Sequence, residues 1–196
     1  MGADVIKIET PEGDVNRWTG AARSPGMSTG QLIKGRNKKS IIFNLKVPEA
    51  RAPFEKLIET ADVFVHNIRP KAAARLRIDY DTISKLRPDI IYASATGFGE
   101  DGPYADKPAY DDLIQAASGI ASLYGRVTGS PKYAPSVMAD KTTGLFLSNY
   151  IVMALFHRER SGEGQKLHVP MYESFASFVV NEHLQGKTFV PPTGPS

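Results

Sequence analysis

Short apolar segments rich in β-branched residues alternate with helix-forming segments along most of this chain, and few folds accept that order. The apolar segments are residues 4–9 (DVIKIE), 40–45 (SIIFNL), 62–68 (DVFVHNI), 89–96 (DIIYASAT) and 165–169 (QKLHV). After Pro48, the residues Phe54, Leu57, Ile58 and Ala61 recur at helical spacing, which predicts a helix to about Ala61 with one buried face. Further helices are predicted over 71–76, 80–86, from 110 towards 119, from the region of Asp140 to about Arg160, and over 171–184. Strands with continuous apolar cores, alternating with helices, predict an α/β fold: a doubly wound, mostly parallel, Rossmann-like sheet with right-handed crossovers. Ligands of such sheets bind beyond the carboxyl ends of the strands. Those ends carry residues 44–46, 67–69 and 96–99.

The segments between these elements hold the chemistry. Residues 10–30 form a long polar loop, of a length that is often functional. Residues 34–39 (KGRNKK) are a cationic cluster, readable as a solvated loop or as an anion-binding edge. Residues 97–102 (GFGEDG) match the dinucleotide-binding pattern G-x-G-x-x-G formally, but Pro103 and Pro108 follow it and Glu100 and Asp101 would repel phosphates. That pattern requires a helix opening on a pyrophosphate. A glycine-rich loop is expected here instead. In residues 136–144 (SVMADKTTG), Asp140 lies where a long apolar helix begins. The unpaired N–H groups and positive dipole end of a helix start stabilise an anion. Taken alone, Asp140 reads either as a helix N-cap or as a carboxylate nucleophile. His157, Arg158 and Arg160 before Gly162 give that helix a cationic end and a glycine stop.

Composition narrows the options. With 41% hydrophobic and 23% charged residues the chain can bury a core, and its 196 residues suit one domain of roughly 100–200 residues. A net charge of +3, dispersed rather than striped, argues against dedicated nucleic-acid binding but leaves an anionic small ligand open. Cysteine is absent, so there is no disulfide, thiolate metal site or cysteine nucleophile, in keeping with a reducing cytoplasm. His66, His157, His168 and His183 lack metal-ligand spacing, and no nucleophile elbow, P-loop or H-E-x-x-H motif occurs. No metal is expected. The start shows no signal-peptide pattern, and the longest apolar run, 145–156, falls short of the roughly 20 residues of a membrane span. A soluble protein without a membrane partner is expected. The chain opens on a strand and closes in VPPTGPS, so both ends read as cut.

Eight blocks, in order, resemble class III coenzyme A transferases of the CaiB/BaiF type: GADVIKIE, NKKSIIFNLK, ADVFVHNIRP, LRPDIIYASATGFGEDGPY, YDDLIQAASG, MADKTTG, ALFHRERSGEGQ and MYE. The family includes formyl-CoA:oxalate CoA-transferase, carnitine CoA-transferase and α-methylacyl-CoA racemase. The resemblance implies that Asp140 is the catalytic nucleophile, attacking an acyl-CoA thioester to form a mixed anhydride and then an aspartyl-CoA thioester. It implies that CoA contacts fall on Phe43, Asn44, Leu45 and Lys46, on Asn67, Ile68 and Arg69, on Arg75, and on Pro108, Ala109, Tyr110 and Asp111. Lys46, Arg69 and Arg75 would suit the CoA phosphates; Arg69 and Arg75 read equally well as solvated surface charge. CoA is then a substrate, with no permanently bound cofactor, and the partners are an acyl-CoA and a carboxylic acid acceptor. Racemase relatives carry His-Asp where this chain has Tyr110-Asp111, and a Tyr of pKa ~10 is a poor base near neutral pH. A transferase is therefore expected over a racemase-like isomerase.

The resemblance also implies absences. Relatives have a strand and helix before GADVIKIE, and a smaller second domain after the equivalent of residue 196. Residues 1–196 thus read as a partial large domain, with 185–196 the start of a linker. Full-length relatives form interlocked homodimers, and a catalytically silent CoA-binding or partner-binding fragment is the competing expectation.

Overall fold

The computed structural model describes residues 2–194. They fall into two compact units, Met1–Glu59 and Thr60–Ser196. All strand pairing in the named sheets is parallel, as the alternation of elements requires, with two strands in one sheet and three in the other.

In the first unit, β1 (Val5–Glu9) pairs in parallel with β2 (Lys38–Ile42), from Val5 opposite Lys38 to Glu9 opposite Ile42. The sequence placed this second strand at 40–45; it starts and stops earlier. Its early start comes from the pairing with β1, Val5 opposite Lys38 and Ile6 opposite Lys39, beside an exposed ion pair between Lys39 and Asp4 at 2.8 Å. Asn44 ends it by folding a turn, its Oδ1 accepting from the Lys46 N–H at 3.2 Å and its carbonyl from the Val47 N–H at 3.0 Å. Inside the loop expected over 10–30 lies a helix, α1 (Thr29–Lys34), capped by the buried Ser28 hydroxyl. The cationic run of 34–39 is therefore divided between the end of α1 and the start of β2.

That loop is ordered by one carboxylate. Glu9, 4% exposed, accepts from Arg17 Nε at 2.6 Å and Nη2 at 2.8 Å, from Ser40 Oγ at 2.7 Å and from the Asp14 N–H at 2.9 Å. Charge-assisted bonds of this kind offset the desolvation of the carboxylate. The Arg17 guanidinium is the chief cause that lowers the Glu9 pKa to about 2, against burial that raises it. The unit continues through a single 3-10 turn into α2 (Arg51–Glu59), whose Phe54 and Ile58 are buried on the predicted face.

The second unit is built on a three-stranded sheet of order β3 (Val63–His66), β4 (Ile91–Thr96) and β5 (Gln165–Pro170). β4 is central and buried along almost its whole length, as expected of a parallel strand covered on both faces. α3 (Pro70–Arg75) and α4 (Tyr80–Leu86) cross from β3 to β4. α5 (Asp111–Ala117), α6 (Ile120–Thr128) and α7 (Met138–Ser161) cross from β4 to β5, and α8 (Met171–Val180) follows. α6 is a helix that the sequence did not announce: Gly125 inside it is a poor helix former, and its stability comes from packing against α5.

α7 sets the direction of the unit. Its buried positions are the small residues Ala139, Thr143 and Ala154, which let it lie close along β4 and β5. At its far end Arg158 donates from Nη1 to the carbonyls of Asp62 (3.2 Å) and Asp89 (3.3 Å), and from Nη2 to Asp62 Oδ1 at 3.0 Å. Asp62 directly precedes β3 and Asp89 lies two residues before β4, so the carboxyl end of α7 is tied to the amino ends of the strands. A helix of 24 residues spans about 36 Å at ~1.5 Å per residue. Its amino end, with Asp140, therefore projects at the carboxyl ends of the strands. Ile114, Ala139, Phe175 and Val179 form the core cluster beneath it. Among the described residues no helix is long and apolar enough to cross a membrane.

Two measurements check this account. Phe175→Ala removes a side chain with no exposed surface and is expected to destabilise the second unit by about 3–5 kcal/mol in urea unfolding. Glu9 binds protons less readily folded than unfolded, so its stabilisation is complete above about pH 4.5 and is lost as pH falls towards about 2. The fluorescence of Trp18, the single tryptophan and a neighbour of Arg17, is expected to report loss of the first unit's loop across that window. Glu9→Gln, which cannot carry the charge at any pH, should loosen the loop already at neutral pH and remove the change across that window.

Candidate active site

α5 and α7 present their amino ends to one cleft of about 490 Å³, lined by Tyr110, Asp111, Asp112, Gln115, Tyr133, Ala134, Ser136, Val137 and Asp140. Asp140 is exposed and is the third residue of α7; Val137, without a side-chain bond, holds the cap position. The N-cap reading of Asp140 is thereby corrected. Capping comes from the neighbouring helix, where Asp111 Oδ1 accepts the Asp140 N–H at 3.0 Å. A donor in the first turn of a helix has no partner within it, and Asp111 supplies one.

Asp111 is held in turn. Its Oδ2 accepts from Gln115 Nε2 at 2.5 Å, one helical turn along α5. Gln115, 2% exposed, also donates from Nε2 to the Ser136 carbonyl at 3.1 Å and accepts at Oε1 from the Ala134 N–H at 2.8 Å. Beside this network Lys141 Nζ donates to Ser136 Oγ at 2.8 Å. Tyr110 is 70% exposed, so its ring stands at the mouth of the cleft. The wall thus combines three carboxylates (Asp111, Asp112 and Asp140), two phenols and a hydroxyl. Among the described residues no group of histidines and acids has the arrangement of a metal site.

Of the residues singled out in the sequence, Tyr110, Asp111 and Asp140 meet in this cleft. Pro108 and Ala109 lead into it, and Ala109 packs against the core cluster. Asn67, Ile68 and Arg69 lie together at the carboxyl end of β3, and Arg75 closes α3. Arg69 Nη1 donates to the Asp106 carbonyl at 3.0 Å and Lys71 pairs with the Asp106 carboxylate at 2.5 Å, joining this group to the segment before Pro108. Phe43, Asn44, Leu45 and Lys46 belong to the first unit, directly after β2, where the Phe43 N–H donates to the Glu9 carbonyl at 3.0 Å. Sequence reasoning assigned no role to Gln115, Asp112 or Tyr133, while Ser136 and Val137 lie in the stretch 136–144 singled out around Asp140. Gln115 alone left a signal: an amide four residues after an acid on one helix face.

The glycine-rich loop at 97–102 does not line the cleft. It is fastened to α8: the Gly99 N–H donates to Glu173 Oε1 at 2.8 Å, and the Gly97 carbonyl accepts from the Tyr172 N–H at 3.0 Å. A Cβ on Gly97 would sit 2.3 Å from that of Ala109, so glycine is required there for close approach. Lys166 pairs with Glu100 at 3.1 Å.

One half-buried histidine braces the residues at the end of β3. His66 Nδ1 accepts the Ile68 N–H at 3.0 Å, which leaves the proton on Nε2 to face Tyr92 Oη at 2.6 Å; Tyr92 in turn donates to the Ile78 carbonyl at 3.1 Å. Burial lowers the His66 pKa to about 4 and raises that of Tyr92 to about 12.

The fold and the cleft define an α/β protein that offers an exposed aspartate at the amino end of a long helix. A family model for CoA-transferase family III matches residues 1–194, and the chain belongs to that family. It is 38% identical over 191 residues to the succinate–glutarate CoA-transferase of Agrobacterium fabrum, covering 94% of this chain and 48% of that protein. To the acetyl-CoA:oxalate CoA-transferase of Acetobacter aceti it is 38% identical over 184 residues, covering 91% of this chain and 46% of that protein. The crystal structure of a CaiB/BaiF family protein from Brucella suis superposes with a TM-score of 0.90 at 32% identity, over 100% of this chain and 52% of that one. The chain spans about half the length of the curated relatives it matches.

Because folded His66 resists protonation, it is neutral in both states above about pH 6.5, and stability is lost as pH falls from there towards about 4. In a proton NMR titration the His66 ring is expected to titrate near 4, with the Ile68 amide resonance shifting in the same step.

Proposed function

We propose that this chain carries the nucleophile and part of the CoA-binding surface of an acyl-CoA:carboxylate CoA-transferase, with Asp140 as the nucleophile. The observation that carries the reading is Asp140 itself: an exposed carboxylate in the first turn of a 24-residue helix, opening on a cleft. There the positive end of the helix dipole favours the anion and would likewise stabilise an oxyanion forming nearby.

In this reaction a carboxylate oxygen of Asp140 attacks the thioester carbonyl, the C–S bond breaks, and CoA leaves as thiolate with an acyl-aspartyl anhydride behind it. The thiolate attacks the aspartyl carbonyl, releases the donor acid as carboxylate and leaves an aspartyl-CoA thioester. The acceptor carboxylate then attacks that carbonyl, forming a second anhydride and freeing CoA thiolate again. Attack of the thiolate on the acceptor's acyl carbon yields the new acyl-CoA and restores Asp140. No proton need be gained or lost, which suits a site of carboxylates without a histidine base. Tyr110, in place of the histidine of racemase relatives, supports transfer over α-proton abstraction.

Phe43, Asn44, Leu45, Lys46, Asn67, Ile68, Arg69, Arg75, Pro108, Ala109, Tyr110 and Asp111 are proposed CoA contacts, with Lys46, Arg69 and Arg75 as partners for its phosphates. The acids named for the relatives make small dicarboxylic acids the first acceptors to assay. The proposed working form is a homodimer.

Incubation with succinyl-CoA followed by hydroxylamine is expected to leave a hydroxamate on Asp140, found by peptide mass spectrometry. Asp140→Ala should abolish the adduct and lower any CoA transfer by about 10³-fold or more. Absence of the adduct with several acyl-CoAs would sink the reading for this chain.

A further inference from the structure

We infer that Gln115 is a positioning residue for Asp140, acting through Asp111 and through the loop that leads into α7; the inference rests on the reading of Asp140 as nucleophile. Its side-chain amide makes three of the four bonds open to it, all at the cleft wall: Nε2 to Asp111 Oδ2 and to the Ser136 carbonyl, and Oε1 from the Ala134 N–H. Only one orientation of the amide works. Turned over, Oε1 would face two acceptors and Nε2 would face an N–H.

The consequence runs along the chain of bonds. Ala134 and Ser136 belong to the segment that delivers the chain to Met138, so clamping both fixes where α7 starts. Asp111, with one oxygen on Gln115, is left with the other aimed at the Asp140 N–H. One side chain therefore sets the position of the nucleophile's backbone from two directions. Apolar attachment does not require it, because the adjacent Ile114, with no exposed surface, already joins α5 to the core cluster with Ala139. A buried amide in that place is costly unless all its partners are kept. Covalent chemistry is sensitive to such placement: a shift of about 1 Å at a reacting group costs on the order of 10²-fold in rate.

Two variants test this in the full chain. Gln115→Leu removes all three bonds at similar size. Gln115→Glu keeps the acceptor for Ala134 but faces Asp111 with a second carboxylate. For both, the rate of hydroxamate formation on Asp140 from succinyl-CoA and hydroxylamine is expected to fall about 10–100-fold at neutral pH, corrected for folded fraction. The half-saturating succinyl-CoA concentration should change less than about 3-fold, and hydrogen exchange at the Asp140 amide should accelerate. Gln115→Glu should recover part of its rate between about pH 8 and about pH 5.5, where the protonated acid regains a donor; the unsubstituted chain should show no such gain. Wild-type rate in Gln115→Leu, or a loss explained wholly by unfolding with Asp140 exchange unchanged, overturns the inference. If the unsubstituted chain forms no hydroxamate, the nucleophile reading fails first. Amide exchange at Asp140, slow in that chain and fast in Gln115→Leu, then still decides whether the clamp exists.

Discussion

Arg158 holds the carboxyl end of α7 against the amino ends of β3 and β4, and the direction of the second unit follows from that grip. Its guanidinium spends two donors on the backbone carbonyls of Asp62 and Asp89 and another on the Asp62 carboxylate. The planar fork of Arg suits this bridging role better than the point charge of Lys. It also neutralises the negative end of the helix dipole. With one end pinned where the strands begin, a helix much longer than the strands must extend past where they finish. Asp140 is carried there by helix length alone.

What happens at the amino end is a matter of polar satisfaction. The first turn of α7 lacks a side-chain cap of its own, and Val137 cannot supply one. The need is met from α5 by Asp111, which Gln115 holds by its other oxygen. Two helix starts thus share one cleft and one set of hydrogen bonds. The arrangement leaves carboxylates as the dominant chemistry of the wall, which fits a reaction whose every step is a carboxylate or thiolate attacking a carbonyl. It fits proton abstraction poorly.

Much of this was legible before any coordinates. The strands at 62–68, 89–96 and 165–169 were found to within two residues at each end, because buried parallel strands read as continuous apolar runs. The cationic finish of α7 and Gly162, whose φ of +77° is the left-handed conformation of a helix stop, were equally plain. Other features were hidden by local signals that pointed elsewhere. Polar residues around Ser28 concealed α1, since serine, glycine and threonine read as loop although Ser28 is a buried cap. Gly125 concealed α6. The G-x-G-x-x-G pattern was rightly set aside, but its loop faces α8 and has its Gly99 amide committed to Glu173. Asp140, Tyr110 and Asp111, which meet in the cleft, were singled out through resemblance to a family. Gln115 was not, because its importance lies in partners 19 and 21 residues away along the chain.

The amino-acid sequence by itself determined the parallel α/β order, the family and the candidacy of Asp140, because apolar periodicity and short motifs are local properties of a chain. Only the tertiary structure decided the role of Asp140 at the helix start. Local sequence left it readable as a cap or as a nucleophile; the fold brought Asp111 to do the capping and left Asp140 exposed on a cleft. The reason is physical: a backbone N–H accepts any oxygen within reach, and which oxygen comes within reach is set by how helices pack, not by their neighbours in sequence.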